Sequence, residues 1–66
     1  MNVENGDRVR EKVSGFEGVV VARCEYLSGY INVKVQSETL NPTTGLVVAD
    51  WFQQEDVVVL PPDDES

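Results

Sequence analysis

Histidine is absent from this chain, and cysteine occurs once, at position 24. An intramolecular disulfide is therefore impossible and a Cys/His metal site is excluded. No serine or threonine has an imidazole to activate it, which removes triad-type nucleophilic chemistry. Long apolar runs are missing too: nothing approaches the roughly 20 residues of a membrane span. The first ten residues, MNVENGDRVR, hold no apolar signal core. Together these absences predict a cytoplasmic protein with one reduced thiol, no membrane association and no cofactor. Cys24 reads as a small strand residue rather than a reactive thiol.

Positive charge is also scarce. Five basic residues face twelve acidic ones, for a net charge of −7. Arg8, Arg10, Lys12, Arg23 and Lys34 all lie in residues 1–34, where five acids balance them, and the other seven acids follow. Generic binding to nucleic-acid phosphate needs net positive potential, so this balance argues against it. It fits a solubilising surface or a basic partner. Asp50, Glu55 and Asp56 lie close in sequence but lack the glycine and alternating spacing of a calcium loop, so no metal site is expected.

What the chain does have is β-branched residues, thirteen valines and Ile31 among its 66 residues. That composition favours strands over helices. Asn5-Gly6 is a turn signal ahead of a first strand at residues 7–13. There Val9, Glu11 and Val13 share one side, Arg8, Arg10 and Lys12 the other, solvent-facing side. Glu11 is out of place among the valines, and a bend is expected to turn it out. Ser14-Gly15 forms a turn. Residues 16–26 form the longest strand, with Val19 and Val21 on one face and Val20, Ala22 and Cys24 on the other. Gly18 marks a kink or a close approach of another backbone.

Residues 27–29 form a short connection, and residues 30–36 alternate cleanly, with Ile31, Val33 and Val35 on the apolar side. Residues 37–45, SETLNPTTG, read as a loop. Residues 46–52 form a fourth strand, residues 53–56 one turn of 3₁₀ helix, and residues 57–60 a fifth strand that Pro61-Pro62 stops. Residues 1–5 read as a loosely held lead and residues 61–66 as an acidic flexible tail. The order predicts a single all-β domain over residues 1–60, a small five-stranded SH3-like barrel with a 3₁₀ turn before the last strand. An OB-fold also has five strands but usually carries a helix where residues 37–45 stand.

Two resemblances follow from these segments. The opening Gly6-Asp7-Arg8-Val9 with Phe16-Glu17-Gly18-Val19-Val20 resembles a KOW-type SH3-like module of translation and transcription proteins, which implies RNA, ribosomal or polymerase partners. The whole chain, through ARCEYL (residues 22–27) and DWFQQEDVVVL (residues 50–60), resembles a family of small uncharacterised proteins of tailed phages and prophages. That resemblance implies an accessory protein in the host cytoplasm, with anti-defence action as one role.

The candidate partner-binding residues are Arg8, Arg10 and Arg23, as contacts to an anion or an acidic partner, and Tyr26, Tyr30, Trp51 and Phe52, as the lining of a groove. Their ordinary roles are a solvated strand face for the arginines and caps on the open ends of a small barrel for the aromatics. No catalytic constellation is present, so the expectation is a non-enzyme. The first reading is a binding module that acts on a host protein or other macromolecule. The second is a homo-oligomer that sequesters an anionic, nucleotide-like small molecule. The third is a KOW-like nucleic-acid-binding module.

Overall fold

The computed structural model describes residues 3–61. Five strands and one 3₁₀ turn follow in order: β1 (Arg8–Glu11), β2 (Glu17–Glu25), β3 (Ile31–Leu40), β4 (Val47–Gln53), the turn Gln54–Asp56, and β5 (Val57–Val59). Every ladder is antiparallel, and the sheet runs β4-β3-β2-β1-β5. Strands β1 to β4 form a meander, and β5 returns to the free side of β1. This is the all-β, SH3-like arrangement expected from the sequence, with the 3₁₀ turn before the last strand. Among the described residues no ladder joins β4 to β5, so both remain sheet edges.

The core is built of one residue type. Val3, Val9, Val20, Val33, Val35 and Val57 are essentially inaccessible, and Phe16, Ile31, Phe52 and Val59 pack against them. Phe16 and Phe52 meet with ring centroids 5.7 Å apart at a tilt of 41°, a favourable aromatic geometry. Val3 corrects the expectation of a loose lead. Its side chain is fully buried, and its amide donates to Gln54 Oε1 at 3.0 Å. The Glu4 amide donates to Asp7 Oδ2 at 2.9 Å. The expected acidic tail lies outside the described residues, apart from Pro61.

Glu11 is the second correction. It points inward and is buried, while Val13 is 92% exposed. The reason is a turn that the carboxylate itself organises. Glu11 Oε1 accepts hydrogen bonds from the Val13 amide at 2.9 Å, the Ser14 amide at 2.5 Å and Ser14 Oγ at 2.8 Å. The Gly15 amide closes the turn onto the Glu11 carbonyl at 3.0 Å, and Gly15 takes a φ of 77° that favours glycine. So β1 ends at Glu11, earlier than expected, because the buried carboxylate finds its partners in the Val13 and Ser14 amides and the Ser14 hydroxyl, which folds those residues into a turn instead of a ladder. These Ser14 bonds, the backbone one first, then the hydroxyl, hold the Glu11 carboxyl below its ordinary range; burial opposes them and the Val13 amide adds to them.

The third correction concerns β2. Val20 pairs with Val35 and Ala22 with Lys34, so Val21 is an extra residue. This β-bulge reverses the alternation. Gly18 and Val20 face inward before it; Arg23, opposite the buried Val33, faces inward after it. Ala22 and Cys24 therefore turn to the outer face instead of sharing a side with Val20. Gly18 behaves as expected of a close approach: a Cβ there would collide with the Gln36 backbone carbonyl.

Strand β3 also runs further than expected, to Leu40. Between the pairs Gln36↔Ala49 and Leu40↔Val47, three residues of β3 oppose one of β4. The Thr39 amide donates to Ser37 Oγ at 3.2 Å and helps to carry the irregularity. The loop shrinks to a tight turn. Asn41 Oδ1 accepts from the Thr43 and Thr44 amides at 2.8 and 3.1 Å, and the Gly45 amide donates to the Asn41 carbonyl at 2.7 Å. Beyond Gln36 the β3–β4 hairpin leaves the core, and Leu40, Leu46, Val47 and Val48 are all exposed.

Two outcomes follow. Gly18→Ala forces a Cβ against backbone that has no rotamer to move, and we expect a loss of about 1–3 kcal/mol, read as a lower urea midpoint. Because the folded Glu11 carboxyl is depressed, its stabilisation is fully present above the unfolded value, about 4.3, and is lost as pH falls through the folded value. Glu11→Gln should therefore be less stable than the parent at pH 7, and the difference should shrink in acid. A constant difference from pH 7 down to pH 3 would contradict this account.

Candidate functional site

The bulge and the register together sort the side chains of β2, β3 and β4. Val33 and Val35 point into the core, so their cross-strand partners lie on the inner side, and the residues between them form an outer face. One outer row is Ala22–Lys34–Trp51. The next is Cys24–Asn32–Gln53, and on the other side lies Val19–Gln36–Ala49. At the turn end the Tyr26 amide donates to the Tyr30 carbonyl at 2.8 Å, which brings the two tyrosines across from one another.

This face has a distinct chemistry. Trp51 and Tyr26 are each 47% exposed and Tyr30 57%. Asn32 and Gln53 stand in the row between them and Gln36 in the row beyond Trp51, each able to donate and accept through its amide. Lys34 is the only charged residue in these rows, and no carboxylate stands in them, in a chain of net charge −7. Such a surface can pack on apolar or planar groups and hydrogen-bond around them. Cys24 is half-buried in it. Among the described residues no cluster of three or more His, Cys, Asp or Glu side chains is placed to hold a metal ion.

The sequence candidates divide. Tyr26, Tyr30 and Trp51 share the outer face, with Trp51 two rows along it from the tyrosine pair. Phe52 does not: it pairs with the buried Val33 on the inner side and stacks on Phe16. Arg8 and Arg10 project from the outer side of β1, flanking the buried Val9, whereas the bulge turns Arg23 inward. Each arginine meets a carboxylate: Arg8 Nη2 lies 3.1 Å from Glu38 Oε1, Arg10 Nη1 3.5 Å from Glu17 Oε2, and Arg23 Nη1 3.7 Å from Glu25 Oε1. A single chain therefore does not converge the three arginines on one anion. An open depression of about 400 Å³, lined by Lys12, Gln54, Glu55, Val57 and Val58, lies at the opposite, β5 edge.

The amide residues Asn32, Gln36 and Gln53 were not among the sequence candidates. Their signal was present in the clean alternation of Tyr30, Asn32, Lys34 and Gln36, which assigns one whole side of β3 to solvent. Exposure of the arginine pairs sets their energetic weight. Arg8→Gln and Arg10→Gln should each change stability by less than about 1 kcal/mol, as exposed pairs do. Arg23→Ala should cost more, about 1–2 kcal/mol, because its aliphatic stem packs on the inner side. Urea unfolding of the three variants checks the order. No family model, curated protein or solved structure matches this chain.

Proposed function

We propose that this protein is a non-enzymatic binding module that docks a macromolecular partner on the outer face of β2, β3 and β4. The observation that carries the reading is the set Tyr26, Tyr30 and Trp51, half-exposed on one face without a carboxylate among them. Half-exposed tyrosine and tryptophan side chains are the residue types that dominate interface energetics. Asn32, Gln36 and Gln53 supply adaptable hydrogen bonds around them, and Lys34 a central cation.

A protein partner fits better than a phosphate backbone. Base-stacking surfaces for nucleic acid work with several unpaired cations, and here Arg8 and Arg10 already meet Glu38 and Glu17. The net charge of −7 would steer the chain toward a partner that is basic around its docking patch. The resemblance of ARCEYL and DWFQQEDVVVL to tailed-phage proteins supports a host macromolecule as that partner, with anti-defence action as one possible consequence.

The test is affinity purification from host cells, followed by titration of the recovered partner against variants. Trp51→Ala and Tyr30→Ala should each weaken binding at least tenfold, about 1.4 kcal/mol or more, with an unchanged urea midpoint. Trp51 is the only tryptophan, so its fluorescence reports docking directly. Unchanged affinity in both variants would overturn the reading.

A further inference from the structure

Strand β4 is a sheet edge, and its free side has a definite pattern. The Tyr26 amide donates to the Tyr30 carbonyl, so even-numbered residues of β3 hydrogen-bond toward β2. Odd-numbered residues, Val33 and Val35, then bond toward β4 through their pairs Phe52 and Asp50. The hairpin agrees, because the Asn41 amide donates to the Leu46 carbonyl at 2.8 Å. Leu46, Asp50 and Phe52 thus turn their backbone groups to β3. Val47, Ala49 and Trp51 turn theirs outward. Consistent with this, the Trp51 amide donates to a side chain of its own strand, Asp50 Oδ1 at 2.8 Å.

We infer that this edge pairs with the same edge of a second copy, antiparallel about a two-fold axis at Ala49. In that register Ala49 faces Ala49 of the other copy, and Val47 faces Trp51 at both ends. All are positions whose backbone groups point off the edge, so the ladder closes without leaving unpaired groups between them. The smallest side chain sits on the axis, and Asp50 falls opposite Val48 rather than opposite another Asp50. An isologous contact of this kind is complementary to itself by construction.

Charge and exposed surface both favour a second copy. From Thr39 to Gln54 the only ionisable side chain is Asp50, so two chains of net charge −7 meet where neither carries much of it. Lysine and proline, the residues that commonly protect an edge, are absent from β4. The other edge is different: β5 has three residues and Pro61 follows closely. Val47 is 51% exposed beside the half-exposed Trp51, and burying both with the edge backbone gives an interface below the roughly 1,200 Å² where stable specific contacts begin, which is the size of a weak, concentration-dependent one. A micromolar dimer is the expected strength. The inference rests on the backbone edge rather than on partner docking, although both use the Trp51 side chain and would compete for it, and both outer faces would lie on the same side of the joined sheet.

Sedimentation velocity from micromolar to millimolar concentration tests it. The parent chain should pass from monomer to dimer and stop there. Ala49→Pro removes an amide that points off the edge and has no partner among the described residues, and prolines are tolerated on edge strands. It should weaken the dimer at least about 100-fold while circular dichroism and the thermal midpoint stay close to the parent's. Val47→Lys should weaken it at least tenfold, and Val58→Lys on β5 should leave it unchanged. The Ala49 and Trp51 amides should gain hydrogen-exchange protection as concentration rises. A chain monomeric at millimolar concentration, growth past the dimer, or a dimer indifferent to both Ala49→Pro and Val47→Lys would overturn the proposal.

Discussion

The bulge at Val21 is the constraint on which both surfaces of this protein depend. One extra residue in β2 reverses its alternation halfway along. The first half of the strand buries Gly18 and Val20 and completes the core against β1. The second half does the opposite, placing Ala22 and Cys24 on the outer face and aligning that face toward Tyr26. Arg23 is the residue displaced by this arrangement. It is forced to the inner side, where its Nη1 reaches Glu25 and its Nε, like that of Arg8, is buried with no partner among the described residues. An aromatic outer face and an awkward arginine are two results of a single insertion.

A core of six valines explains much of the remaining exposure. Each fully buried valine contributes about 1.5 kcal/mol or somewhat more, and a sheet of this size has little else to bury. Apolar side chains therefore remain at its surface by geometry as well as by role, and their number alone says nothing of binding. What separates the part of the outer face between Val19 and Tyr26 from the rest is composition: its rows across β2, β3 and β4 have aromatics and amides and no carboxylate, in a chain where acids outnumber bases by seven. Glu38 and Glu17 lie beside those rows against Arg8 and Arg10, Glu25 meets Arg23 on the inner side, and Glu11 is held in the turn that ends β1.

Strand number, strand order and the 3₁₀ turn were legible because turn chemistry is local. Ser14-Gly15, Ser28-Gly29 and Asn41-Pro42 mark the three reversals of the meander, and Asn5-Gly6 marks the turn into β1. The bulge was not legible, because Val19, Val20, Val21 and Ala22 are apolar in either frame and hydrophobicity cannot choose between them. Glu11 misled for a related reason: alternation correctly placed it inside, but a lone carboxylate there looked costly until Val13 and Ser14 were seen to satisfy it. The extra length of β3 was hidden by a polar stretch, SET, whose local hydrogen bonds resemble those of a loop. On the candidate face, the exposure of Tyr26, Tyr30 and Trp51 was legible from residue type and strand ends, while Phe52 lies on the inner side, since a strand sends neighbouring residues to opposite sides.

The pairing of β5 with β1 has a further consequence, for the timing of folding. Its contacts, and the bond from the Val3 amide to Gln54 Oε1 across 51 positions, join the two ends of the sequence. The hairpins β1–β2, β2–β3 and β3–β4 are each local and can form early, but Val3, Val9 and Val57 meet only after β5 is available. Loop closure of that length must precede its reward, which slows folding. During synthesis, then, a nascent meander would hold its valines uncovered until β5 has cleared the ribosome.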